Sequence, residues 1–485
     1  MPHYDLCVIG SGSGDALING EFDGWSVALV DGAPRFGGTC LNAGCIPTKM
    51  LSVAADIADQ SRRAWRLGVH DNVVDVDWGS IRARVFGRLD PLSAAGEARR
   101  DGSSNVTLYR ENGWFVAPGV LQVGDEQVTA THFVLAAGSR PRGLDVPGCD
   151  DPELAGLLHT SDTIMRLDAL PTHLVILGGG VVAAEFAHIF AGLGSQVTLV
   201  HRGPGLLREA DAEIAERFTA ALSERVTVRL NQQVTGFTPD GRGGVGVETQ
   251  DADGVEYLFE GDQVLLALGR VRNSDTLDVA AAGVAVDPSG RVVVDEHQRA
   301  VRAPGAKARP AARGRGSQAG PADGGGTIWA LGDICAPKLL KHVANHELRV
   351  VRHNLLHPDD LICADHRHIP QAVFSGPQLA WVGLTEQEAV AQGRPFVTSI
   401  RGYDSVAYGW ALEDEGTHCV KLLADPSGQL LGAHILGPDA AILLQPLIQA
   451  LATGLDVRTM ARGQYWIHPA LTEVVENALL DLPLS

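Results

Sequence analysis

Two cysteines five residues apart, Cys40 and Cys45, sit in the stretch GGTCLNAGCIPTK, with glycines ahead of them and Lys49 just behind. Such a pair admits three chemistries: half of a zinc site, a structural disulfide, or a dithiol that opens and closes. Zinc asks for closely spaced pairs with a second pair of ligands elsewhere, whereas Cys7, Cys149, Cys335, Cys363 and Cys419 stand singly. A structural disulfide suits small domains in oxidising compartments, and a chain of 485 residues is not short of core. Geometry favours the dithiol. On a regular helix, residues five apart are separated by about 7.5 Å along the axis, and a disulfide wants its Cα atoms within roughly 7 Å. A bridge here therefore predicts a helix distorted at its first turns, which Asn42, Ala43, Gly44 and Pro47 permit. Strain of that kind makes a bridge easier to reduce.

A dithiol needs a source of electrons, and two glycine-rich turns supply candidates. In YDLCVIGSGSGD an apolar strand (Leu6 to Ile9) runs into Gly10, Gly12 and Gly14, and a second strand, VALVD, ends at Asp31. Small residues let the backbone approach a pyrophosphate at a helix N-terminus, and an acid about 20 residues on accepts ribose hydroxyls. Asp15 stands where the third glycine of that pattern belongs, so the helix expected there should pack differently. The second copy is HLVILGGGVVAAEFAHIFAGLGSQVTLVHRG, with Gly178, Gly180 and Ala183 in the pattern. Its second strand ends in His201 and Arg202 rather than an acid, and Arg208 follows. A carboxylate there would hold a bare ribose; arginine attracts a 2′-phosphate. Two nucleotide sites are expected, the second built for NADPH.

The bulk numbers bound the setting. The length predicts two to four domains, and 45% hydrophobic content suits globular ones. A net charge of −19 argues against nucleic acid or an anionic membrane as partner. No apolar run approaches a membrane span, MPHYDLCVIG lacks the pattern of a signal peptide, and seven cysteines, an odd number, fit a reducing cytoplasm.

Together the motifs resemble the flavin-dependent pyridine nucleotide–disulfide oxidoreductases, the family of glutathione reductase and dihydrolipoamide dehydrogenase. The residues that carry the resemblance are the first glycine turn, GGTCLNAGCIPTK, VLAAGSRP ending at Pro141, the second turn with Glu185, ALGRVRN from Ala267, IWALGDI from Ile328 and HPALTE from His468. Asp15, Ala137 and Arg272 depart from the usual pattern. The resemblance implies an α/β fold with two Rossmann-like domains and a C-terminal α+β dimerisation domain. The FAD domain would span 1–150 and 275–365, the NADPH domain 151–274 and the interface domain 366–485, in a homodimer. A Gly-, Ala-, Pro- and Arg-rich insert at about 303–326 has no family counterpart, and its composition predicts disorder.

The resemblance also implies roles. Cys45 would face the flavin and take its electrons, and Cys40 would attack the substrate disulfide. Lys49 would approach the flavin and pair with Glu185, a cation that favours electron density entering the ring. FAD would be held by Gly10, Gly12, Gly14, Asp31, Gly38, Thr39, Lys49, Gly138 and Asp333, with the helix from about His342 aiming its N-terminus at the flavin. NADPH would lie on Gly178, Gly180, Ala183, His201, Arg202, Arg208 and Gly269. Exchange runs through a thiolate, and the departing thiol must be protonated. His468 can do both near neutral pH, and Glu473 can fix its tautomer. In the family this histidine serves the cysteines of the other subunit.

The motifs leave the substrate open. Within the family, GSGSGD, VTLVHRG and LLKHVANHELRVVRHNLL look most like the branch that reduces the disulfide of mycothiol. Dihydrolipoamide dehydrogenase with NAD is the alternative, although it normally carries an acid where Arg202 stands. Mercuric reductase fits less well, because a C-terminal vicinal cysteine pair is absent from the ending DLPLS. A flavin-binding sensor without catalysis is disfavoured by the intact set of reactive residues.

Overall fold

The structure, a computed structural model, describes residues 1–70, 75–306 and 327–484. Of the insert expected at about 303–326, residues 307–326 lie outside the described residues. The chain folds into two compact units: Met1–Pro47, Ala83–Pro141 and Arg270–His366 form the first, and Thr48–Arg82, Arg142–Gly269 and Arg367–Ser485 the second.

The first unit is organised by a parallel sheet in the order Val106–Tyr109, Val27–Val30, His3–Ile9, Glu126–Leu135, with Thr327–Ala330 also parallel to Glu126–Leu135. Leu6 to Ile9 and Val27 to Val30 are buried throughout, which is why they read as unbroken apolar runs rather than alternating ones. Such strands need cover on both faces, and two apolar clusters supply it, one around Phe115 and Phe133, the other around Phe22 and Phe36.

The first glycine turn corrects one expectation. No α-helix follows it. The chain makes two single-turn 3₁₀ segments, Asp15–Leu17 and Gly20–Phe22. The cause is a competition for backbone acceptors. Arg100 donates to the carbonyls of Asp15 (2.8 Å) and Ile18 (2.7 Å), and Arg352 donates to those of Leu17 (3.1 Å) and Ala16. Four consecutive carbonyls that a helix would use internally are thus taken by arginines. Asp15 completes the lock with its carboxylate, which pairs with Arg100 and, at 2.9 Å, with Arg99.

The second unit contains a five-stranded parallel sheet, Thr227–Arg229, Gln196–Val200, His173–Leu177, Gln263–Leu266, Leu158–His159. The helix Val181–Leu193 follows its central strand and is apolar nearly all round, as a fully covered crossover helix must be. A second, antiparallel five-stranded sheet (Gln371–Val373, Leu379–Gly383, Leu430–Leu436, Cys419–Ala424, Val397–Gly402) shares a core with helices Gln445–Thr453 and Thr472–Leu480. Lys421 lies buried in that sheet. Burial opposes its charge, but Glu386 (2.7 Å), Asp211 (2.9 Å) and Glu213 (3.1 Å) outweigh it and hold its pKa above the ordinary value. The Asp211 pairing ties the start of helix Ala212–Ser223 to the antiparallel sheet.

Candidate active site

The dithiol sits at a break between two helices. Gly37 (φ +102°) and Gly38 (φ +72°) lead into the short helix Gly38–Asn42; Ala43 leaves it with φ −151°, and a new helix, Cys45–Arg63, begins at the second cysteine. Gly44 belongs to this break, because a Cβ there would lie 3.0 Å from the Thr39 carbonyl oxygen. The distortion expected between the cysteines is therefore a complete interruption. Cys40 is half-buried and Cys45 exposed, and both are thiols. The Cys40 thiol hydrogen-bonds Cys45. That bond, with burial and the neighbouring sulfur's charge, pushes its pKa far up, while Lys341 pulls it down.

Beside the dithiol lies a cradle of glycines that no side chain could fill. A Cβ on Gly10 (φ +108°) would lie 2.3 Å from the Ala136 oxygen, and one on Gly14 2.2 Å from the Gly10 oxygen. Gly12 faces Gly38: a Cβ on Gly38 would lie 2.5 Å from the Gly12 Cα. The Ser11 hydroxyl accepts the Gly37 N–H at 2.7 Å and fastens the same contact. Asp31 ends its strand buried, its two oxygens accepting the N–H groups of Ser11 (2.7 Å) and Ala33 (2.8 Å). Thr39 is exposed at the start of the dithiol helix. This is a site shaped for a backbone-bound pyrophosphate, as FAD requires.

Further along the same unit, the Ser139 hydroxyl donates to Asp333 at 2.5 Å and accepts from Arg270 at 2.7 Å. Gly138 and Gly332 hold φ +67° and +75° on either side of that contact. Helix Lys341–Leu356 begins one residue before the expected His342, which is exposed in its first turn. From its interior, the fully buried Glu347 accepts the Gly332 N–H at 2.7 Å and binds His366 at 2.9 Å. Ser139, Arg270 and Glu347 were not legible as site residues, because only the fold brings them to Asp333.

In the second unit, Lys49, Glu185 and Phe374 converge. The Phe374 N–H donates to Glu185 at 2.9 Å, and the Lys49 ammonium stands 4.1 Å from the Phe374 ring centroid. Burial raises the Glu185 pKa; the Phe374 N–H and the nearby Lys49 charge partly reverse this. The lysine is aimed by the way its helix lies along Val181–Leu193. Asp56 binds His188 (2.8 Å), Arg62 donates to the Gly192 carbonyl (2.5 Å), and Gly192 admits Ala55 where a Cβ would come within 2.9 Å.

The second glycine turn keeps the same logic. A Cβ on Gly178 (φ +143°) would lie 2.3 Å from the Ala267 oxygen, and Ala183 is fully buried. Gly180 faces open space at the N-terminus of helix Val181–Leu193, and Gly269 holds φ +97°. The His201 ring packs over Gly179 and Gly203, each of which would clash with it if it carried a Cβ. Burial lowers the His201 pKa, and the charges of Arg202 and Arg208 lower it further. The buried Nε2 of His201 has no hydrogen-bond partner. Leu207, at φ +51°, bonds the Gly179 carbonyl (2.8 Å) and pulls the Arg202–Arg208 loop over the turn. Strained backbone at such a point is kept where function demands it. The residues fit an adenosine carrying a 2′-phosphate.

Near the C-terminus, Glu473 accepts from His468 Nδ1 at 2.7 Å and from the Ala470 N–H at 3.1 Å, which lowers its pKa. The imidazole is 70% exposed, and Tyr465 and Ile467 beside it are exposed apolar side chains.

Against known proteins, residues 4–305 match the model of the pyridine nucleotide–disulphide oxidoreductases, and residues 369–479 match that family's dimerisation domain. The chain belongs to this family. It is a flavoprotein disulfide reductase, with FAD and a pyridine nucleotide as cofactors, and it carries the family's dimerisation domain. Its family relatives include the mycothione reductase of Mycobacterium tuberculosis, 45% identical over 99% of this chain and 100% of the relative. A dihydrolipoyl dehydrogenase of Halobacterium salinarum is 31% identical over 98% of this chain and 95% of its own. Among solved structures, the HOCl-induced flavoprotein disulfide reductase RclA of Escherichia coli shares the fold, with a TM-score of 0.80 at 24% identity, covering 99% of this chain and 100% of that one. Among the described residues, no helix is long and apolar enough to cross a membrane.

Proposed function

We propose that the protein passes two electrons from NADPH through FAD and the Cys40–Cys45 pair to the disulfide of a low-molecular-weight thiol, mycothiol disulfide. The observation that carries this reading is the Cys40–Cys45 hydrogen bond across the helix break, next to the glycine cradle. FAD, when bound, supplies the two-electron relay between nicotinamide and sulfur. The domain assignment follows: 1–150 and 275–365 for FAD, 151–274 for NADPH, 366–485 for the interface.

The chain's own residues account for the remaining steps. Asp31 holds the first turn open to the pyrophosphate, and Asp333, fixed by Ser139, meets the ribityl hydroxyls. Lys49, held over the Phe374 ring with the Glu185 charge nearby, sets positive charge toward the flavin ring. Cys40 passes its proton to His468 of the partner subunit and attacks one substrate sulfur; the disulfide bond breaks, and the first thiolate leaves with that proton. Cys45, giving its proton to the same imidazole, then attacks the Cys40 sulfur; the mixed disulfide breaks, the Cys40–Cys45 disulfide re-forms, and the second thiolate takes that proton as it departs. Glu473 keeps the imidazole in the tautomer that this exchange needs. The exposed Tyr465 and Ile467 support a site shared between subunits, being apolar surface that a second chain would cover.

Identity to mycothione reductase across the whole chain, with GSGSGD, VTLVHRG and LLKHVANHELRVVRHNLL, favours mycothiol disulfide. Arg202 and His201 favour NADPH and weigh against the dihydrolipoyl reading. The test is NADPH oxidation with mycothiol disulfide, glutathione disulfide and lipoamide in parallel. Turnover that favours mycothiol disulfide is expected; equal or better turnover of lipoamide with NADH overturns it.

A further inference from the structure

Lysine is scarce in this chain, and one of its few copies stands where a cation is least welcome. Lys341 is the first residue of helix Lys341–Leu356, where the positive end of the macrodipole disfavours another positive charge. Its ammonium is not turned out into solvent. It donates to the Ser13 hydroxyl at 2.8 Å, in the first glycine turn. That turn is stitched to the dithiol segment: Ser11 accepts the Gly37 N–H at 2.7 Å, and a Cβ on Gly38 would lie 2.5 Å from the Gly12 Cα. Cys40 lies on the short helix that begins at Gly38. A charge placed against the dipole and then anchored toward a redox sulfur has a reason to be there.

We propose that Lys341 is an electrostatic positioning residue of the dithiol, an ammonium that Ser13 holds toward Cys40 so that negative sulfur is stabilised there. The proposal rests on the disulfide-reductase reading and deepens it. Two groups act on the Cys40 thiol. Cys45, by hydrogen bond and charge, and burial hold its proton in place, and the Lys341 charge favours the thiolate. Without some such cation, a half-buried thiol paired to a second sulfur would deprotonate too rarely to attack a disulfide. Lys49 sits in the helix after Cys45, so the two lysines would divide the work, one serving the flavin and one the attacking sulfur.

The test is the pH dependence of alkylation at Cys40 by iodoacetamide. It uses NADPH-reduced, FAD-containing enzyme without disulfide substrate, with the modified residue identified by mass spectrometry. Lys341→Met should move the midpoint of the rate curve up by about one pH unit, a roughly tenfold slower reaction below the midpoint. Lys341→Arg should keep the wild-type curve, and Ser13→Ala, which frees the ammonium, should fall between. A wild-type curve in Lys341→Met overturns the proposal. Should Lys341→Met come without flavin, Lys341→Arg decides: a raised midpoint in flavin-loaded Lys341→Arg also overturns it. Because no substrate disulfide is present, the outcome is independent of which disulfide the enzyme reduces.

Discussion

The nucleotide preference can be worked from the second glycine turn. Among the described residues, Arg202 and Arg208 have no side-chain partner in the fold, and the buried Nε2 of His201 is also unpartnered. Two guanidiniums and one imidazole nitrogen near the second glycine turn therefore have no side-chain partner of their own. Removing Arg202 leaves folding nearly untouched, so the loss falls on the ligand. A planar guanidinium matches a phosphate and offers little to two hydroxyls. A charge-assisted hydrogen bond contributes roughly 1.5–3 kcal/mol, and about 1.4 kcal/mol is tenfold. Arg202→Ala should therefore erode the preference for NADPH over NADH by about 10- to 100-fold, with nearly all of the loss on NADPH. Arg208→Ala should act in the same direction more weakly, and Arg202→Glu should turn the preference toward NADH. The assay is the rate of flavin bleaching by each nucleotide in a stopped-flow instrument, which needs no disulfide. Wild type that uses both nucleotides alike would refute the reasoning, as would Arg202→Ala losing both equally.

Three further outcomes are expected. Cys40→Ser and Cys45→Ser should each abolish disulfide reduction with FAD retained, and the long-wavelength absorption of a thiolate beside oxidised flavin should survive only in Cys40→Ser; identical spectra would reverse the assigned roles. His468→Ala should slow substrate turnover on the order of 10²–10⁴-fold while flavin reduction by NADPH stays near the wild-type rate, and mixed dimers with Cys40→Ser chains should recover activity if the site is shared. Gly138→Ala meets open space and carries only the left-handed backbone penalty of about 1–2 kcal/mol, whereas Gly38→Ala must also push the Gly12 backbone away. Thermal melts and flavin content should therefore separate the two, with Gly38→Ala losing flavin.

How much of this was legible in the sequence depends on the range over which each feature is decided. The break between Cys40 and Cys45 was readable, because Ala43 and Gly44 lie between the sulfurs and a disulfide's reach is fixed. The second glycine turn was readable for the same reason: strand, turn and helix are contiguous. The first turn was not. Its pattern was local, but the helix it implied was dissolved by Arg100 and Arg352, which reach the Asp15 to Ile18 carbonyls from distant parts of the sequence. Asp15 departs from the glycine pattern, yet nothing near it in the sequence names its two arginine partners. Glu347 carried no signal either. A glutamate inside an amphipathic helix reads as a solvated face until the fold buries it under Gly332.

These distant contacts make the flavin cradle and the dithiol a single mechanical object. Gly12 touches Gly38, Ser11 holds Gly37, and Lys341 holds Ser13, so the first turn cannot move without moving the helix that carries Cys40. Gly14 keeps one local bond, from the Leu17 N–H at 3.1 Å, and the arginine-bound carbonyls that follow it tie the segment to Trp78–Asp101 and Lys341–Leu356. The second of these is the helix whose first residue faces the turn and whose Glu347 fixes Gly332 beside Asp333. One helix thus braces both the first glycine turn, through Ser13, and the Gly332 backbone beside Asp333, the two places proposed to hold the pyrophosphate and the ribityl chain. The position of the dithiol relative to the first glycine turn follows from that shared support rather than from the cysteine motif itself.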